Sequence, residues 1–327
     1  MTSRPVRRSL VRLLGAAPLA LQIGAARAQG WPARPIRIVV PFAPGGSTDA
    51  IARVIAGRLG EQLGQNVLVE NKAGANSIIG TGEVVKSAPD GHTLLVVTPS
   101  LVINPVVTAK LPYDHARDLV PVSLISRTPY VLGVSNEVPA TSLRELIAYA
   151  KANPGRLGYA SSGNGTGAHL TTEAFKLATG TDMVHVPYKG TSLAMPDVIA
   201  GRVAMIFDVE QVLGPLIRDR KVRGFAITSE SRSPTSPDIP TMKEAGVADF
   251  VTSSWIGMLA PRDTPPEIVA RLSSEVRRAL STPELRERMQ AFGTQTVAST
   301  PEAFAAALRE ETERWSAVAR HIGLRPE

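Results

Sequence analysis

The chain has 327 residues, 43% of them hydrophobic, a formal net charge of +7 and no cysteine. The missing thiols exclude disulfides, thiolate metal sites, a cysteine nucleophile and a cysteine-borne lipid anchor. Arg4, Arg7, Arg8, Arg12 and Arg27 all lie in the first 28 residues with no acid among them, so beyond that point the formal charge falls by five to +2, and no basic stripe suited to nucleic acid remains.

The chain opens on those arginines, an apolar run over 13–26 interrupted by Pro18 and Gln22, and Ala26-Arg27-Ala28. This pattern predicts a signal peptide over residues 1–28, cleaved near Ala28, with the rest of the chain in the periplasm. The run is shorter and more interrupted than the roughly 20 apolar residues of a permanent membrane helix. Arg7-Arg8 also fits a twin-arginine signal, which leaves the export route open. The chain beyond the signal is long enough for about two domains of roughly 150 residues each, and two lobes imply a cleft.

From there short β-branched runs alternate with helical periodicity, which predicts an α/β fold. Residues 36–49 read as a strand, a glycine turn and a helix start. Adjacent Gly45 and Gly46 let backbone amides approach a ligand, Ser47 or Thr48 is expected to cap the helix, and first-turn amides carry partial positive charge. An anion can bind there without a cationic side chain. Ile51, Val54, Ile55 and Leu59 give the following helix one apolar stripe up to Gly64. A strand over 65–70, a loop over 71–80, a turn at Pro89-Asp90-Gly91 and a strand over 93–98 complete a first lobe.

A β-rich stretch over 120–134 reads as a crossing between lobes, after which the rhythm restarts. The predicted division is 29–128 with 254–327 as lobe 1 and 129–253 as lobe 2. A helix carrying Leu143, Leu146, Ile147 and Ala150 precedes a strand over 157–161 and a second glycine loop formed by Ser162, Gly163, Asn164, Gly165, Thr166 and Gly167. That loop opens a helix capped at Gly180. Strands are expected over 183–188, 203–209, 224–228 and 255–259, and the tail from 266 to 321 is expected to be largely helical.

Gly163 to Ala168 matches G-x-G-x-x-A, the dinucleotide fingerprint, after a strand and before a helix. The following strand, 183–189, carries no acid at its end for a ribose, and an exported protein has little access to nucleotides. A second anion seat explains the same residues more simply. Neither a G-x-S-x-G elbow nor a G-x-x-x-x-G-K-[ST] phosphate loop is found, and the five histidines lack metal spacing, so no catalytic residue, metal or cofactor is expected. His169, in the first turn after the second loop, is either a donor to a bound carboxylate or a packing and helix-end residue. Asp49 suits the helix dipole better than a ligand amine. Asp208, at a strand end, is a candidate for touching ligand or its ordered water. Phe42 packs either on ligand or in the core.

The segments WPARPI (31–36), PFAPGGSTD (41–49), VENKAGA (69–75), PDGHTLL (89–95), LPYD (111–114), AYAKANPG (148–155), HVPYKG (185–190) and PTMKEAG (240–246) occur in this order over essentially the whole chain after the signal. In them the chain resembles the Bug-type extracytoplasmic solute receptors, the substrate-binding components of tripartite tricarboxylate transporters. The resemblance implies a two-lobed fold of the periplasmic-binding-protein type II kind, closing on a small organic acid or amino acid and delivering it, as a monomer, to integral-membrane permease subunits. It implies ligand contacts from residues 42–49 and 162–169, and further contacts around Asn76, Ser100, Gly190 and Asp208. Asn76-Ser77 stands where the family commonly has a glycine, and His92 where it commonly has a tyrosine. Two other readings stay open: a solute sensor for a signalling partner, and an enzyme acting on a carboxylic acid with Asp208 or His169 as acid or base.

Overall fold

The computed structural model describes residues 30–291 and 293–324; the predicted signal peptide, residues 1–28, lies outside them. The first half of the chain runs β1 (Ile36–Val40), α1 (Ser47–Leu63), β2 (Val67–Asn71), α2 (Ile78–Val85), β3 (Thr93–Val97), α3 (Ser100–Val107), α4 (His115–Asp118) and the long β4 (Leu119–Val134). It continues as α5 (Leu143–Ala152), β5 (Gly158–Ser161), α6 (Gly167–Thr179), β6 (Val184–Pro187), α7 (Thr191–Ile199), β7 (Met205–Val209), α8 (Glu210–Arg218) and β8 (Arg223–Ile227). The chain closes with β9 (Ser253–Pro261), α9 (Pro266–Leu280), α10 (Pro283–Ala291), β10 (Gln295–Thr296) and α11 (Pro301–His321).

The strands pair in the order β2-β1-β3-β9-β4-β7-β5-β6, with β8 and β10 also on β4. β1 is parallel to β2 and β3, and β5 is parallel to β6 and β7. The parallel strands at the centre of each half are mostly apolar because both faces are covered: Ile36, Ile38, Val39 and Val40 of β1 and Met205, Ile206 and Phe207 of β7 are fully buried. Up to Pro129, β4 pairs with β9 in the first half; from Tyr130 onward it pairs with β7 and β8 in the second. Register shifts at Pro121/Ser123 and Leu124/Ser126 bend it on the way.

Direction follows from the pairing. β9 is antiparallel to both β3 and β4, so β4 runs with β1, β2 and β3, while β7 runs against β4 and carries β5 and β6 with it. The C-terminal ends of the two parallel sets therefore point toward one another along β4. Val97 is level with Gly257 and Leu124, and Val209 is level with Tyr130. At about 3.3 Å per residue the two edges are separated by roughly 20 Å.

The strand positions and α1, α5, α6 and the helical tail follow the sequence pattern, with α1 and α6 ended by left-handed Gly64 (φ 65°) and Gly180 (φ 62°). The expected loop over 71–80 is corrected: α2 takes over at Ile78. Helices α3, α7 and α8, of eight or nine residues, also went unforeseen, because each holds an internal proline (Pro105, Pro196, Pro215) that breaks the helical signature.

Candidate functional site

Each of β1, β2, β3, β5, β6 and β7 leads into a helix, α1, α2, α3, α6, α7 and α8 respectively. Six helix N-termini therefore stand on the two facing edges, each bringing amides without an intrahelical acceptor. In α1 the first intrahelical bond is Ala50 N–H to the Gly46 carbonyl, 2.9 Å, which leaves the preceding amides of Ser47, Thr48 and Asp49 to other acceptors. Gly46 itself is the N-cap, and no side chain caps the helix, so the expected cap from Ser47 or Thr48 is corrected: Ser47 is exposed as the first helical residue and Thr48 is buried.

Asp49 reaches back instead. Its carboxylate accepts from the Gly45 amide (2.9 Å), Arg53 Nε (3.1 Å) and Asn71 Nδ2 (3.0 Å). Burial works to raise its pKa, but these three donors outweigh it and hold the carboxyl below its ordinary value. Asn71, at the end of β2, also donates to the Phe42 carbonyl at 3.1 Å, so Asp49 and Asn71 together fix the first loop. The Phe42 ring is half-buried against the core cluster that holds Val39, Val97 and Trp315. Gly45 (φ 87°) and Gly46 are exposed; a Cβ on Gly45 would meet no atom within 4 Å, and one on Gly46 only the Ala43 carbonyl at 4.0 Å.

The loop after β2 meets helix α3. Asn76 Nδ2 donates to Asn104 Oδ1 and Asn104 Nδ2 returns a bond to the Asn76 carbonyl, both at 2.9 Å, while the hydroxyls of Ser77 and Ser100 lie 2.8 Å apart. Ala75, Asn76 and Ser77 are all left-handed (φ 45°, 48°, 76°), a backbone state that side chains disfavour and that these bonds sustain.

In the second loop, Thr166 caps α6 by accepting from the His169 amide at 3.5 Å and donates its hydroxyl to the Gly163 carbonyl at 2.8 Å. The amides of Gly167 and Ala168 precede the first intrahelical bond, Leu170 N–H to the Thr166 carbonyl. Ser162 and Gly163 are half-buried and Asn164 is exposed. Gly165 lies on Val107 of α3, which a Cβ would approach to 2.7 Å, and Gly167 lies under the Tyr130 hydroxyl, which a Cβ would approach to 2.1 Å. His169 is buried, and its Nδ1 accepts from the Gly165 amide at 3.1 Å. Its ring stacks on His185 with centroids 3.9 Å apart. Burial lowers the pKa of both, that of His185 to about 4, where the nearby His169 adds to the effect.

Gly190 (φ 115°) caps α7 with open space where a Cβ would stand. The Asp208 carboxyl is buried; it accepts from the Val209 amide at 2.7 Å and from the Thr191 hydroxyl. Burial pushes its pKa up against both of those bonds, and the Tyr130 hydroxyl is pushed up by burial and then by Asp208. Loop 42–49, Asn76 and Ser100 thus stand on one edge, and residues 162–169, Gly190 and Asp208 on the other. Asn71, Tyr130, His185 and Thr191 were not singled out from sequence; Asn71 and His185 fall inside the VENKAGA and HVPYKG segments, which was the available signal.

Residues 51–324 match the family described as "Tripartite tricarboxylate transporter family receptor". The chain belongs to this family. It is 41% identical over 300 residues to Protein BugT of Bordetella pertussis (strain Tohama I), covering 90% of this chain and 91% of that protein. Among solved structures it is similar to Rpa4515 of R. palustris with adipate (TM-score 0.80, 36% identity, 91% of this chain and 100% of that one). It is also similar to MatC (Rpa3494) from Rhodopseudomonas palustris with bound malate (TM-score 0.75, 33% identity, 88% and 100%). The α/β fold is that of the solute-binding receptors of this tripartite tricarboxylate transporter family.

Proposed function

We propose that this family member captures a small carboxylate between two lobes, 29–128 with 254–327 and 129–253, and hands it as a monomer to integral-membrane permease subunits. It does so in the periplasm, after loss of residues 1–28. The observation that carries this reading is the convergence of six helix N-termini on two facing edges, with open space beside Gly45, Gly46 and Gly190. Helix N-termini and unpaired amides favour an anion, and exclusion of water on closure strengthens each bond. The acids named with Rpa4515 and MatC, adipate and malate, are of this class.

Ligand contacts are assigned to the amides of Gly46, Ser47 and Thr48 in the first loop and of Asn164, Gly167 and Ala168 in the second, with Phe42, Asn76, Ser100, Gly190 and Asp208 around them; the amides of Gly45, Gly163, Gly165 and Thr166 are held by internal acceptors, and Asp49 and His169 act by holding the loops. No catalytic step is assigned. The Asp208 carboxyl accepts from the Val209 amide and the Thr191 hydroxyl, and Nδ1 of His169 accepts from the Gly165 amide. Closure brings the edges together about the β4 and β9 crossings, as in hinge-bending receptors.

A thermal-shift screen against mono-, di- and tricarboxylates, amino acids and nucleotides tests this reading. A bound acid at about 100 times its dissociation constant adds roughly 2.7 kcal/mol and a clear rise in Tm. A rise with a dinucleotide alone, or with no acid, overturns it.

A further inference from the structure

We infer that His169 and His185 are positioning residues that brace the second glycine loop from behind as neutral imidazoles, and that protonation of His169 loosens the loop and its grip on a bound acid. The coupling to ligand rests on the receptor reading above; the brace itself does not.

The two rings hold the loop at two points. The Gly165 amide donates to His169 Nδ1 at 3.1 Å, which puts the proton of the neutral ring on Nε2. Ser161 Oγ stands 2.6 Å from His185 Nε2, accepts from the Gly163 amide at 3.2 Å and lies 3.1 Å from the Gly163 carbonyl. The two histidine rings are nearly parallel, 6° apart, and Tyr159 also stacks on His185 at 4.9 Å. Loop glycines, α6, β5 and β6 are thus joined through one stack.

The groups facing the pair are Tyr159 from β5 and Glu173 and Lys176 from α6. Glu173 accepts from the Tyr159 hydroxyl and pairs with Lys176 at 2.9 Å, so its charge is already answered. A proton on His169 Nδ1 would turn an acceptor into a donor aimed at the Gly165 N–H, and a charged ring would lie in a site whose burial favours the neutral form. Val107 of α3 lies against Gly165 on one side and limits its movement in that direction. A cavity of about 470 Å³ bordered by Asn164, His169, Glu173, Lys176 and His185 brings space to both rings.

The test is a calorimetric titration of adipate and of malate into the wild-type protein, His169→Gln and His169→Ala from pH 7.5 to 5. Glutamine keeps an acceptor for Gly165 without titrating. H169Q is expected to bind at pH 7.5 within a few-fold of wild type, and H169A at least tenfold more weakly. As pH falls, wild type should lose affinity faster than H169Q by up to about tenfold per unit, the limit for one linked proton; the ligand's own titration is common to both. Nitrogen-15 NMR of the wild-type imidazoles supplies a readout that needs neither a variant nor a ligand, and the Nε2–H tautomer of His169 is expected at pH 7.5. Superimposable pH profiles for wild type and H169Q, or an Nδ1–H tautomer, would overturn the inference. If wild type binds neither acid at pH 7.5, the titrations are run with the acid that raises Tm in the screen above; if no acid does, the receptor reading and the ligand coupling both fail, while the tautomer still decides the brace.

Discussion

A Cβ on Gly46 would have 4.0 Å to its nearest neighbour, whereas one on Gly167 would sit 2.1 Å from the Tyr130 hydroxyl. The paired glycines of the first loop are therefore small toward open space, and Gly167 is small because another side chain occupies its room. Gly167→Ala should destabilise the protein by about 1–3 kcal/mol through overpacking. Adding Tyr130→Phe should return part of that loss, and denaturant melts of the two single variants and the double variant read the coupling. Additive losses would show that the two groups do not meet. The turn at Gly45 and Gly46 was legible in sequence because paired glycines after an apolar run mark a strand-to-helix connection. Tyr130 and His185 were not, since each meets its loop only after some 20 to 40 residues of intervening chain have folded. The same holds for Asn71, whose bonds to Phe42 and Asp49 span 29 and 22 residues.

At the scale of elements, the Thr228 hydroxyl staples the crossing between the two sheet halves, beside backbone bonds from the Thr228 amide to the Tyr130 carbonyl (2.9 Å) and from the Thr252 amide to the Thr228 carbonyl (3.1 Å). Thr228, fully buried, takes the Tyr130 amide at 2.9 Å and donates to the Thr252 carbonyl at 2.6 Å, tying outgoing β4 to the returning chain. Thr228→Val keeps the shape and leaves both partners buried without that hydroxyl. A loss of about 1–3 kcal/mol in urea melts is expected, and an unchanged midpoint would show that the staple carries no stability. The crossing itself was legible as a β-rich stretch over 120–134; the strand it forms, Leu119–Val134, has 16 residues, nearly three times the roughly 5–6 of a usual strand, and it persists through Pro121, Arg127 and Pro129. Helices α2, α3, α7 and α8 were not, since their N-termini are set by the strand before them and their stability by packing, with prolines masking the period in the last three.

For the whole molecule the half-buried His185 and the buried His169 set an acid limit. An exposed imidazole titrates near 6.5, and His185 in the folded protein near 4. Between those values the unfolded chain takes up a proton that the native state refuses, so this contribution to stability is lost as pH falls from about 6.5 to 4. His169 acts in the same direction. Asp208 and Glu311, whose carboxyls burial raises, act in the opposite one, because the native state then binds the extra proton. The drop in Tm from pH 7 to pH 5 should therefore be smaller in His185→Gln than in wild type, and parallel curves would contradict the assignment. The central claim is that backbone amides beside open glycines hold an acid between the lobes, and calorimetric titration of adipate and malate into wild type and Gly46→Val tests it most directly. A valine there suits the extended N-cap backbone (φ −77°) and meets little protein, so Tm should hold. Its side chain fills the seat, and loss of about two charge-assisted bonds should weaken binding at least about 100-fold. Equal affinity in the two proteins would contradict the account.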